Sequence, residues 1–130
     1  MRALTVAAAL LLGGCAGMGA QMRMDKLDTM LRAYDRAVRW SEFETAYALA
    51  TPAGTKAPDF TRFQGIRPTS YDQLGSLQAN ADSTQIVRMV EIRYIHTATM
   101  VERRLADRQV WEYAEKEGRW YLRSEFPGFP

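Results

Sequence analysis

Thr84 to Thr97 (TQIVRMVEIRYIHT) is the strongest strand in the chain, and the fold has to accommodate it. Branched and aromatic residues dominate the run. Ile86, Val90, Ile92 and Tyr94 share one face, while Val87, Met89 and Ile95 share the other with Glu91 and Arg93. Two more strands follow, over Val101 to Glu115 and Arg119 to Glu125. Glu115-Lys116-Glu117-Gly118 suits the tight turn between them, with Gly118 supplying a positive φ. A loop of two residues or of four puts Trp111, Tyr113, Trp120 and Leu122 on one face, because both registers keep the same parity. This aromatic cluster is expected at the centre of the core. Before Thr84, Ile66 to Leu77 is a weaker strand. Pro68 and Gly75 would interrupt a central strand, so an edge strand or one bent by a bulge is expected.

The first part of the chain is helical by pattern. Leu27, Met30, Leu31, Tyr34, Ala37 and Val38 recur at three- and four-residue spacing. Asp28 with Arg32, and Asp35 with Arg39, place an acid four residues before a base. A second stripe, Phe43, Ala46, Tyr47 and Ala50, is out of phase with the first. Ser41-Glu42-Phe43-Glu44 between them has the spacing of a capping box. Two helices are expected, over residues 25–39 and 42–50, with a break near Trp40-Ser41; one continuous helix is the alternative. Thr51 to Phe63, with Pro52, Gly54 and Pro58, reads as a turn-rich connection. At the far end, Phe126-Pro127-Gly128-Phe129-Pro130 cannot continue a strand. It is expected to fold back over an open end of the sheet with Phe126 or Phe129 inserted, or to stand out as a peptide for a partner. The class is α+β: N-terminal helices packed on a curved antiparallel sheet of about four strands. With 130 residues the chain has room for one domain, residues 25–130.

The first residues carry an address. Arg2 is followed by ten uncharged, mostly apolar residues, Ala3 to Leu12. Ten residues are too few to span a bilayer, which takes roughly 20, but they suit the apolar part of a signal peptide. Leu12-Gly13-Gly14-Cys15 then resembles the lipobox of bacterial lipoproteins: an aliphatic residue, two small ones and a cysteine. The resemblance implies a signal peptide over residues 1–14, cleavage before Cys15 and lipidation of its thiol and amino terminus. Several acyl chains together make a stable anchor where one holds only marginally. Cys15 is the only cysteine, so no intramolecular disulfide can form. Ala16 follows it, and an aspartate there would be the mark of inner-membrane retention. The resemblance therefore implies the periplasmic face of the outer membrane of a Gram-negative bacterium. An ordinary signal peptide cut near Ala16 or Ala20 is the alternative. Residues 15–24, rich in Gly and Ala, are expected to form the lipidated cysteine and a flexible tether.

The helix–helix–meander order and the W-x-Y…G-R-W-Y-L hairpin are similar to the nuclear transport factor two-like (cystatin-like) superfamily. That resemblance implies a helix in the concave face of the sheet, often with a pocket, and leaves function open between enzymes and binding modules. Trp40, Tyr47, Tyr94, Trp111, Tyr113 and Trp120 are the residues for such a pocket, or else for the core. His96, the only histidine, needs a carboxylate to act as a base. Glu91, Glu102 and Asp107 are the near ones, although a surface role at a strand end suits His96 better. One His with no second thiol makes a zinc site improbable, and no cofactor is implied. Arg88, Arg93, Arg103, Arg104, Arg108, Arg119 and Arg123 could bind an anionic partner. Interleaved glutamates make cross-strand ion pairs the simpler explanation. A net charge of +2 gives no support to nucleic-acid binding. A P-loop, a nucleophile elbow, a zinc-protease motif and a calcium loop are all missing from the sequence. The expected function is a membrane-anchored, non-enzymatic binding or assembly module of the envelope, partnered by an envelope protein or by a second copy. A small-molecule binder or enzyme using an interior pocket is the alternative.

Overall fold

The computed structural model describes the backbone from Gly14 and side chains from Gly17. Leu12 and Gly13 lie outside the described residues, and of Gly14 and Cys15 only the backbone is described. The described elements are α1 (Gly14–Arg39), α2 (Phe43–Ala50), a short 3-10 turn (Phe60–Phe63), β1 (Ile66–Ala79), β2 (Gln85–His96), β3 (Glu102–Ala114) and β4 (Arg119–Leu122). The strands form one antiparallel sheet in the order β1-β2-β3-β4. The helices pack on one face of it, which is the α+β layout read from the sequence.

Helix α1 buries the expected stripe, with Leu27, Leu31, Tyr34, Ala37 and Val38 inside and Met30 partly so. It starts well before Asp25. The segment expected as a tether is helical, because Ala16, Met18, Ala20, Gln21, Met22, Arg23 and Met24 are good helix formers that outweigh Gly17 and Gly19. The sheet holds its last turn in place. The indole of Trp120 donates to the carbonyl of Arg23 at 2.8 Å, and Met24 packs on the core.

The break after α1 falls where the two stripes change phase. The Glu42 amide reaches Ala37 O at 2.8 Å and the Ser41 amide reaches Val38 O at 3.1 Å, the paired closure of a Schellman turn. That closure puts Ser41 at φ 63. The capping box does not form as a result. The Ser41 hydroxyl points away to donate to Ile66 O at 3.2 Å, and α2 begins without a side-chain cap. Only one of the two helix ion pairs forms, Arg32 to Asp28 at 2.6 Å. Arg39 donates to Pro68 O instead, and the part-exposed Asp35 turns to the buried Arg88.

Strand β1 is an edge strand with irregularities between Pro68 and Ser70 and between Leu74 and Gln78, close to the two residues that marked it. On β2, residues 86, 88, 90, 92 and 94 are all buried, so the inward face includes a charged residue, Arg88. The β3–β4 hairpin pairs Trp111 with Leu122 and Tyr113 with Trp120 around a four-residue loop, with Gly118 at φ 64. Trp111, Trp120 and Leu122 are buried, and Tyr113 is partly buried. The tail folds back as expected. Phe129 inserts between Phe43 (5.2 Å), Tyr94 (5.2 Å) and Phe63 (6.0 Å), and the Tyr94 hydroxyl donates to Pro130 O.

Candidate functional site

Arg88 stands where the alternation of β2 demands an inward side chain, and it is only 3% exposed. A buried guanidinium has five N–H donors to satisfy. Its Nε donates to Gln109 Oε1 at 2.9 Å. One terminal nitrogen donates to Asp35 Oδ2 at 3.2 Å and to Gln73 Oε1 at 3.4 Å. The other donates to Asp35 Oδ1 at 2.5 Å and to the Tyr71 hydroxyl at 3.0 Å. The fork on Asp35 ties the C-terminal part of α1 to β2. Gln109, fully buried opposite Arg88, also closes its valences. Its Oε1 accepts from the Trp111 indole at 3.0 Å, and its Nε2 donates to Tyr71 and to Asp107 Oδ2, both at 2.8 Å.

Two groups at the edge of this network are less well placed. The Tyr34 hydroxyl is buried without a hydrogen-bond partner, and burial foremost pushes its pKa well up, so it stays protonated. Asp107 is 8% exposed. Burial raises its pKa above the usual carboxylate value, against the opposing pull of the Gln109 hydrogen bond and the Arg88 charge. A carboxyl raised in the folded state is held protonated more tightly there than in the unfolded chain. Its stability contribution is therefore present at acid pH and lost as pH rises through the folded pKa. Asp107→Asn keeps an oxygen for Gln109 and removes the charge. It is expected to raise Tm near neutral pH by about 3 °C and to leave it unchanged below about pH 4, as thermal denaturation at the two pH values would record.

The structure separates the six aromatic residues expected to share a pocket or core. Trp111, Trp120 and Tyr94 are core residues. Tyr113 meets Trp120 at 5.5 Å, and Tyr47 joins Phe60 and Phe126 at the tail end of the core. Trp40 is 64% exposed and stacks on the Arg39 guanidinium at 4.7 Å, because the Schellman turn swings it off the buried face. His96 ends β2, half-buried opposite Ile66, and its carbonyl caps the turn by accepting from Thr99 and Met100. Among the described residues it has no bond to Glu91, Glu102 or Asp107.

The arginines divide in the same way. Arg123 pairs with Glu112 at 2.8 Å, and Arg93 with Glu91 at 3.3 Å along its own strand. Arg93 lies directly opposite Arg104, two like charges, so cross-strand pairing explains only part of the set. Arg103, Arg104 and Arg108 are exposed, and Arg119 donates to Leu49 O at 2.5 Å. Arg88 departs from the expected set of ion pairs on the wet sheet face: it is buried and pairs with Asp35 of α1, and its parity with Ile86 and Val90 was the signal that could have placed it inward.

Beside the core, α1, the end of α2 and β4 leave an open, mainly apolar groove of about 570 Å³. Met22, Met30, Ala33, Leu49 and Trp120 line it, with Asp25 and Lys26 on the rim. Among the described residues there is no cluster of metal-ligating side chains, and no helix is long and apolar enough to cross a membrane. No family model matches the chain, and no curated protein or solved structure shows significant similarity to it.

Proposed function

We propose that the chain is an envelope lipoprotein, anchored through Cys15 at the periplasmic face of the outer membrane. Its α+β domain acts as a non-enzymatic binding or assembly module there. The observation that carries this reading is the Leu12-Gly13-Gly14-Cys15 motif, behind ten uncharged residues and joined directly to a helix that enters the core. With no flexible linker in α1, the domain would sit close to the lipid. The assembly role is supported by the open, mainly apolar groove beside Trp120 and by the exposed Met18 and Met22 next to it. A second reading, an enzyme or small-molecule binder of the nuclear transport factor two-like kind, draws on the buried Asp107 alone.

Metabolic labelling with a palmitate analogue tests the anchor. The wild-type chain is expected to carry label and Cys15→Ser to lose it. An unlabelled wild type overturns the anchor.

A further inference from the structure

The side of α1 that borders the groove carries more apolar surface than the fold uses. Met18 is 74% exposed and Met22 54% exposed, while Met30 and Ala33 continue the same stripe past Asp25, Lys26 and Thr29. Positions 18, 22, 25, 26, 29 and 33 follow the three- and four-residue spacing of a helix–helix seam.

We infer that this groove is the seat of a second copy of the chain, with the two α1 helices antiparallel. A two-fold interface needs a surface complementary to itself. An antiparallel pairing centred between Asp25 and Lys26 meets that condition. It sets Met18 against Ala33, Met22 against Thr29, and Asp25 against Lys26, each of them twice. Long side chains meet short ones, and each acid meets a base. A parallel pairing in register would stack Met18 on Met18 and Asp25 on Asp25, and so lose both matches.

The charged pair has valences to offer. Asp25 uses Oδ1 to accept from Gln21 at 2.9 Å, which leaves Oδ2. Lys26 donates to Gly118 O at 3.0 Å and to the Tyr113 hydroxyl at 3.5 Å, which leaves a third N–H. Thioether side chains adapt to an open apolar groove such as this one. From position 18 to 33 the seam is about 23 Å long. The inference deepens the assembly reading by naming the partner, and the seam itself does not need the lipid. If Cys15 is lipidated, the two anchors lie about 32 Å apart along the seam. Both then reach one membrane only when the seam runs along its surface.

Two experiments on the full-length chain test this. In the first, Met18→Cys and Ala33→Cys are combined and the cells oxidised. The two introduced thiols on one chain are too far apart to join, and a same-chain bond to Cys15 would leave the monomer mass, so a disulfide-linked band of twice that mass has to join two copies. A band of twice the monomer mass is expected, and none when Met18→Cys is combined with Arg104→Cys on the outer sheet face. Monomer alone, or an adduct of any other mass, overturns the inference. In the second, Asp25→Lys and Lys26→Asp are purified separately, and each is expected to self-associate roughly tenfold more weakly than wild type. Mixed together, they pair acid with base again and should recover association. Mixing cannot rescue a folding defect, so a mixture no stronger than its components overturns the inference. Cross-linking without palmitate label would sink the anchor and leave the dimer standing.

Discussion

Asp35→Ala is expected to destabilise the protein by about 4 kcal/mol, with a fall in Tm of roughly 15 to 20 °C. The cost comes from what is left behind. Arg88 sits 2% exposed by side chain at 2.5 Å from a carboxylate that is itself 30% exposed. Without that carboxylate, a buried positive charge keeps only neutral oxygens from Gln109, Gln73 and Tyr71 and the charge of Asp107, which makes no hydrogen bond to it. A folded domain has only 5 to 15 kcal/mol in all, so a loss of this size leaves little reserve. Replacing both partners, Asp35→Leu with Arg88→Met, should cost less than Asp35→Ala alone, because no charge then stays inside. Urea denaturation of the two singles and the double gives the coupling directly. A loss below about 1 kcal/mol for Asp35→Ala would mean that water at the exposed side of Asp35 already screens the pair.

Trp111→Ala is expected to cost about 4 kcal/mol, and Trp111→Phe about 2 kcal/mol. The indole is fully buried opposite Leu122, with Tyr34 edge-on at 5.1 Å. Alanine leaves a cavity there and takes away one of the two donors to Gln109 Oε1. Phenylalanine keeps most of the packing and loses only the N–H and part of the ring. Chemical denaturation of both variants separates the packing contribution from the hydrogen bond. Equal losses would show that the N–H, and not the ring, carries the site.

The elements that were readable in the sequence are those set by local periodicity. The phase change between Val38 and Phe43 marked the helix break, and Pro68 with Gly75 marked the irregular edge strand. The parity of the hairpin placed Trp111, Trp120 and Leu122 on one buried face whatever the loop length. The failures were also physical. Ser41 has the spacing of a cap, but the Schellman turn claimed its backbone first. The glycines at 17 and 19 suggested a loose tether, but the helix formers around them outweigh them, and Trp120 with Met24 holds the end of the segment against the sheet. Asp35 and Arg39 had ideal spacing for a surface pair, and each found a partner far along the chain instead.

From sequence alone follow the strand and helix pattern and the motif at Cys15, because each depends on residues within a few positions of one another. Which acid would neutralise Arg88, where Trp40 would point, and that α1 would leave a groove beside Trp120 were settled only in three dimensions. Asp35 and Arg88 are 53 positions apart, and Arg23 and Trp120 are 97 apart. No periodicity along a chain encodes which of its distant charges will share a buried site; packing of the helix on the sheet selects them.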